Sequence, residues 1–504
     1  MSPAKVFIKL SSPIFSMHRT LASIKTFIFN NPILTFFFIA TTIFYLFQHV
    51  ISITWDFSSY VLNARCFFFD GQYCETQRPP LASLILAPFL VFGKLGEFLY
   101  IIGISALFFY STLKIADASL NKQNSKEEKK VARWIFAFFS ISIFTLLFGQ
   151  KEGTELLTLS LLELAVAQII LGKNSGWFFG LAFLARYPSL IFIPLMFIYN
   201  KPKAILRNIA SFAIVVFPWF LWNFIFYGNW FTGFIDGYAQ NISLRQAIMP
   251  LNINDILAVS SYYTIPAILG ILLSFFFIFS SKKEYKFTIT IISLFTAILI
   301  WNYSTIPTKF PRYLFNLLIP IAFFSSIFLI FAISNLKRWV NVIGVVLGTL
   351  FTITLLTAFI TTMHETKYAL PFQEAADDIK QLNLEDCEIL SPHWVPVTYY
   401  TDNVYPLEFN SVTQAIEKNK TILIFTKERT PDDSFTEQDL QQLPILKMTD
   451  DYVFYARSNI QEACSPKYLY NAPYIEDHCS MIAKAFPFLM EQIKSVCYSI
   501  NRNP

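Results

Sequence analysis

The feature that most constrains this 504-residue chain is a series of Ile-, Leu- and Phe-rich runs of about 16 to 24 residues, almost free of charge. A helix needs roughly 20 apolar residues to cross about 30 Å of hydrocarbon, and in lipid an isolated segment can satisfy its own backbone only as a helix. The runs predict spans at about 31–53, 97–113, 134–149, 156–172, 209–227, 259–280, 287–303, 313–333 and 339–362. Composition supports this, because charged residues make up only 14% of the chain, apolar residues 54%, and there are 56 phenylalanines. A soluble domain carries roughly 25% charged residues. The chain is therefore expected to be a multi-pass membrane protein surrounded by lipid, with no nucleic-acid partner.

One apolar stretch differs. In WFFGLAFLARYPSLIFIPLMFIY, residues 177–199, the sequence Arg186-Tyr187-Pro188 falls midway. An unpaired central charge is costly in lipid, so the stretch reads as two half-helices that enter and return on one side. Basic residues concentrate on the cytoplasmic side of membrane proteins. With the N-terminus inside and this pair re-entrant, nineteen Lys and Arg flank the inner ends of the spans. The outer loops between spans hold only seven, Arg65, Arg78, Lys94, Lys151, Arg245, Lys309 and Arg312, with Arg186 at the apex of the pair. The N-terminus is thus expected in the cytoplasm and the C-terminal domain outside the cell membrane.

All six cysteines then map outside, the side on which disulfides persist. Cys66 and Cys74 share the first outer loop and are candidates for one bridge. Cys387, Cys464, Cys479 and Cys497 lie in the tail, where their pairing stays open. No paired Cys/His spacing suggests zinc.

Residues 1–30 read as a basic interfacial segment and 31–362 as the membrane domain. Polarity becomes ordinary from residue 363, so 363–504 is a second, extracytoplasmic domain. There, PFQEAADDIKQL, SVTQAIEKN and TEQDLQQL predict helices, and CEILSP, KTILIFT and DDYVFYAR predict strands. This alternation suggests a small α/β fold. The last 45 or so residues, with three cysteines, read as a cap.

The first outer loop, WDFSSYVLNARCFFFDGQYCETQRPPL, carries the most chemistry. Asp56 comes a few residues after the first span, so a helix end holds its carboxylate at the lipid–water boundary. Burial raises such a pKa and a nearby Arg lowers it. Tyr60 and Asn63 follow at near-helical spacing. Arg78 precedes the rigid Pro79-Pro80, which fixes where its guanidinium points, and such a fork suits a pair of phosphate oxygens.

A first span followed by an Asp, a Tyr and a downstream Pro-Pro-Leu resembles the polyprenyl-phosphate-dependent GT-C glycosyltransferases of family 39, the protein mannosyltransferases and lipid A aminoarabinose transferases. KEGTELLTLSLLELA, GLAFLARYPSLIFIPL, FPWFLWNFIFYGN and KFPRYLFNLLIP are similar to further family segments in the same order, over roughly residues 30 to 335. The tail resembles that of archaeal-type relatives. The resemblance implies an all-α polytopic membrane domain of about nine spans plus a re-entrant half-helix pair, followed by a small α/β extracytoplasmic domain. It further implies a sugar donor linked to polyprenyl phosphate, such as dolichyl or undecaprenyl phosphate, and transfer to a hydroxyl of a protein, lipid or glycan with inversion. By the same resemblance Asp56 is the catalytic base that deprotonates or orients that hydroxyl. Arg78, Arg186, Arg312, Lys309 and Lys151 contact the donor phosphate, and Tyr60, Glu152, Glu155, Tyr187 and Tyr313 contact sugar or acceptor.

Departures are present. Phe57 stands where many members carry Glu after the Asp, and two glutamates, Glu152 and Glu155, compete for the second-loop acid. The sequence requires no cofactor, and a divalent metal stays open. Simpler roles compete too: Asp56 as a helix cap or partner of Arg65, Arg78 and Arg312 as interfacial anchors, and the glutamates as helix-start acids. A secondary transporter or lipid flippase is the alternative function, since broken helices with a charge also occur there. The chain shows no related halves.

Overall fold

The structure is a computed structural model, and it describes residues 31–455 apart from 69–74, 76–77, 121–125, 199–200, 239–251, 280–282, 307–308, 336–339, 366–369, 385–386, 388, 402, 407–420 and 426–443. Among the described residues, seven helices are long and apolar enough to cross a membrane: Pro32–Ile51, Lys94–Leu120, Pro202–Ile225, Ile253–Phe279, Tyr285–Thr305, Pro311–Ile333 and Gly344–His364. Seven of the nine expected spans correspond to these. The protein is a multi-pass membrane protein.

The other two expected spans take a different form. The run expected at 134–149 is two helices, Lys126–Ser140 and Ile143–Phe148, because Ser142 and Thr145 close a capping box that starts the second one. The run expected at 156–172 is one helix, Glu155–Ile170, of 16 residues and almost wholly buried. Its interior carboxylate, Glu163, accepts hydrogen bonds from Ser111 Oγ at 2.5 Å and Thr112 Oγ1 at 3.1 Å on the Lys94–Leu120 helix. A buried carboxyl is thereby satisfied and two helices are joined.

The stretch 177–199 breaks where expected. The helix Gly176–Ala185 ends as Arg186 becomes extended (φ −151°, ψ 118°), and a 3₁₀ run, Tyr187–Ile198, follows. Pro188 disfavours the α region for Tyr187, and Pro194 withholds another N–H from any continuing helix. Gly176 and Gly180 let the first half lie against the Pro202–Tyr227 helix: a Cβ at Gly176 would sit 2.0 Å from the Asn208 carbonyl oxygen.

The tail holds a five-stranded sheet in the order β2-β1-β3-β5-β4, with β1 Ile389–Ser391, β2 Val404–Pro406, β3 Thr421–Phe425, β4 Ile445–Met448 and β5 Tyr452–Tyr455. β1 runs parallel to β2 and β3, and β5 is antiparallel to β3 and β4. The helix Leu370–Gln381 and strands β1, β3 and β5 lie where the sequence predicts them. The expected helices at 411–419 and 436–443 and the cap fall outside the described residues. The core of this domain, built on Ile389, Val395, Leu423 and Phe454, also takes in Leu62 of the membrane domain, with Trp55 packed against it.

Candidate active site

The site begins at the Trp55–Phe68 helix, which three residues separate from the end of Pro32–Ile51. Thr54 pins that start, accepting from the Phe57 N–H at 3.3 Å while its hydroxyl donates to the Lys151 carbonyl at 2.7 Å. The first loop is thereby tied to the second. Gly153 completes the tie. Its φ of +87° suits glycine, an added Cβ would lie 3.2 Å from the Phe57 ring and 3.3 Å from that of Tyr60, and its carbonyl accepts from the Tyr100 hydroxyl at 2.7 Å.

Asp56 occupies the first turn, its side chain 24% exposed, between two guanidiniums. Arg78 Nη1 donates to Oδ1 at 2.6 Å, and Arg312 Nη1, 256 residues along the chain, donates to Oδ2 at 3.1 Å. Arg312 Nη1 also lies 3.3 Å from Glu152 Oε2. Arg78 Nε donates to Glu75 Oε2 at 2.6 Å, and the Arg78 guanidinium lies 5.6 Å from the centre of the Tyr60 ring. Arg186 donates to Glu155 Oε1 at 2.6 Å, and its charge also reaches Asp56. The Asp56, Tyr60 and Asn63 spacing does mark one face. Tyr60 lies under Arg78, and the Asn63 amide clamps the backbone of Glu75, donating to its carbonyl at 2.9 Å and accepting from its N–H at 2.6 Å.

Burial disfavours the Asp56 carboxylate, yet Arg78 and Arg312, helped by Arg186, outweigh it and hold the pKa at about 2. Glu152 goes the other way. Burial, with the charges of Asp56 and Glu155, raises it to about 8 against the opposing pull of Arg312 and Lys151.

The structure thus brings Asp56, Arg78, Arg312, Glu152 and Tyr60 into direct contact, with the Arg186–Glu155 pair beside them. Tyr313 joins through Arg312, whose guanidinium is 5.7 Å from its ring centre. Lys309 takes a separate position: it is only 8% exposed, donates to the Ile306 carbonyl at 2.8 Å and lies 5.9 Å from the centre of the Tyr303 ring. Lys151 contributes its carbonyl to Thr54 and its charge to Glu152. Tyr187 turns into an aromatic cluster with Phe183 and Phe234, its hydroxyl accepting from Trp219 Nε1 at 3.1 Å. Cys66 and Cys387 are each engaged in a disulfide, and the other four cysteines, Cys74, Cys464, Cys479 and Cys497, lie outside the described residues. Among the described residues, no group of three or more His, Cys, Asp or Glu side chains is placed to hold a metal ion.

Sequence reasoning assigned no role to Glu75, Asp255 or Tyr303. Glu75 is the second acid on Arg78, and Tyr303 donates to Asp255 Oδ2 at 2.7 Å beside Lys309. Only the rarity of acids in these loops hinted at the first.

No family model and no curated protein sequence matches this chain. Its structure is similar to the crystal structure of ArnT from Cupriavidus metallidurans bound to undecaprenyl phosphate, with a TM-score of 0.58 at 11% identity over 86% of this chain and 99% of that one. The apo state of ArnT aligns with a TM-score of 0.52 at 13% identity over the same shares. The chain therefore shares the fold of ArnT, a helical membrane domain with a small α/β domain after it.

Proposed function

We propose that the protein is a membrane glycosyltransferase that takes a sugar from a polyprenyl-phosphate donor and passes it, with inversion, to a hydroxyl of a protein, lipid or glycan on the non-cytoplasmic face. The observation that carries this reading is Asp56 held between Arg78 and Arg312 at the meeting of two loops. Transfer leaves a lipid phosphate that gains charge, and preorganised cations in a water-poor site stabilise such a leaving group best. Arg312 engages Asp56 and Glu152, and Arg186 engages Glu155, through Nη1 alone, so among the described residues the Nε–Nη2 edge of each guanidinium carries no hydrogen bond. That edge matches two phosphate oxygens. Arg78 supports the pair from the other side of Asp56 and Lys151 adds charge near Glu152, while Lys309, held apart on the Ile306 carbonyl, is left to meet the donor phosphate farther along. In this reading Tyr60, Tyr313 and Glu155, beside the arginines, meet sugar and acceptor, whereas Tyr187 supports the site from its aromatic cluster. The neighbour's bound undecaprenyl phosphate favours a lipid-phosphate donor, and the distribution of basic residues favours the outer face.

The test is transfer from labelled polyprenyl-phosphate sugar by the full-length protein in nanodiscs. Native protein turns over, and Asp56→Asn loses roughly 10²–10³-fold, the range for removing one preorganised electrostatic contact from a site where charge develops. Arg312→Ala loses a comparable amount. Full turnover by a correctly folded Asp56→Asn protein sinks the reading, and uphill solute movement into sealed vesicles without transfer favours the carrier alternative.

A further inference from the structure

We propose that the acceptor's proton is taken by Glu152, while Asp56 stays ionised throughout and acts by orienting the two arginines and the acceptor hydroxyl. The inference deepens the transferase reading and rests on it. The two carboxylates share Arg312 Nη1, at 3.1 Å from Asp56 and 3.3 Å from Glu152, so they border the same small volume. They are not equally available. Both Asp56 oxygens accept charged hydrogen bonds, Oδ1 from Arg78 and Oδ2 from Arg312. Glu152 uses Oε2 alone, and among the described residues its Oε1 has no hydrogen bond or ion pair. Charge-assisted hydrogen bonds favour the ionised form, and a carboxylate holding two of them is a poor proton acceptor.

The surroundings reinforce the difference. Facing Glu152 are Asp56 from the Trp55–Phe68 helix, Arg312 from the Pro311–Leu317 segment, Glu155 from the next helix and its neighbour Lys151. Its side chain is 13% exposed. Burial and the two acids prevail over the two cations, raising its pKa to about 8, whereas Asp56 sits at about 2. A general base works best with a pKa near the operating pH.

The step balances as written. The acceptor O–H bond breaks and its proton passes to Glu152 Oε1. The oxygen forms the new bond to the sugar's anomeric carbon, the bond from that carbon to the phosphate oxygen breaks, and its electron pair leaves with the lipid phosphate. The arginine edges take up that charge, and Glu152 then loses its proton to water.

The experiment is the pH dependence of kcat/KM between pH 5.5 and 9.5 for full-length protein in nanodiscs, with labelled polyprenyl-phosphate sugar and a hydroxyl acceptor. Native activity is expected to rise with pH and level off above about 8, as a base titrating there requires. Glu152→Gln is expected to lose at least tenfold and to lose the rise. Glu152→Asp is expected to keep the rise at a displaced midpoint, and it serves as the reading if Glu152→Gln does not fold. The residual activity of Asp56→Asn is expected to keep the rise, moved to lower pH, because the Asp56 charge helps to raise Glu152. A flat native profile, or the same rise persisting unshifted in the folded Glu152 variant, overturns the inference and leaves the transferase reading intact. Absence of transfer by native protein at every pH overturns the transferase reading itself.

Discussion

Two carboxylates at the same end of the membrane domain are partnered in opposite ways. Asp56, at the start of Trp55–Phe68, is a quarter exposed and bracketed by guanidiniums. Glu97, in the first turn of Lys94–Leu120, is 2% exposed and accepts from His49 Nε2 at 2.8 Å and from the Tyr399 hydroxyl of the α/β domain at 2.7 Å. Around Glu97 the surface is closed. Arg65 donates to the Tyr399 carbonyl and lies over its ring, Lys94 lies over the Tyr400 ring, and Trp55 meets Trp394 edge-on. The Trp55–Phe68 helix therefore has two faces. Trp55, Leu62 and Arg65 bind the α/β domain, and Asp56, Tyr60 and Asn63 line the site. The Glu97 hub has the makeup of a joint, and the Asp56 hub is a partly exposed cluster of ion pairs, the one to which the proposed transfer is assigned.

The sharpest way to break this contrast is to neutralise each acid in turn. Asp56→Asn is expected to abolish most transfer, by roughly 10²–10³-fold, while the folded protein keeps its elution volume and apparent melting temperature within a few degrees. Glu97→Ala is expected to do the reverse. It leaves two buried donors without an acceptor, costing about 2–4 kcal/mol, seen as a lower unfolding temperature, with turnover per folded molecule within a few-fold of native. If Glu97→Ala removed turnover at unchanged stability, Glu97 would belong to the chemistry and the distinction would fail.

A smaller effect tests whether the second loop sets the position of Asp56. Gly153→Ala forces a left-handed φ on a residue with a Cβ and presses that Cβ toward Phe57 and Tyr60. Backbone strain of this kind costs about 1–3 kcal/mol. Displacing a reacting group by about 1 Å costs up to roughly 10²-fold in rate. The expected outcome is a loss of kcat of about tenfold with the donor KM little changed, and an unchanged kcat would show that the loop contact does not position the helix.

Much of this arrangement was legible before any coordinates, for particular reasons. Apolar runs locate seven of the spans because hydrocarbon thickness sets a length that sequence displays directly. The run at 134–149 misled because a capping box needs only Ser142 and Thr145, two small residues hidden in an apolar stretch. Asp56 and Arg78 stood out separately in one loop, the second through its rigid Pro-Pro, and Arg312 through the scarcity of outer cations. Their pairing was not readable: the sequence offered Arg65 as the partner of Asp56, and Arg65 instead donates to the Tyr399 carbonyl. Glu75 was not, since its place depends on the Asn63 amide clamping its backbone, which has no periodic signature. Glu97 reads in sequence as an ordinary helix-start acid, and its partner Tyr399 is 302 residues away. The short strands β2 and β4 escaped for want of length.

The smallest predicted effect sharpens the contrast most finely, because it removes one oxygen atom from the joint. Tyr399→Phe deletes the hydroxyl that reaches Glu97 and keeps the ring that Arg65 covers. Glu97 retains His49, so the loss is one hydrogen bond to a carboxylate, about 1–2 kcal/mol. A downward shift of a few degrees in apparent melting temperature, measured in nanodiscs, is the expected result. Transfer should stay within twofold of native at every pH, since neither Asp56 nor Glu152 loses a contact. A change in the pH profile of Tyr399→Phe would mean that the α/β domain reaches the reacting groups electrostatically as well as mechanically, and that the two carboxylate hubs form a single device.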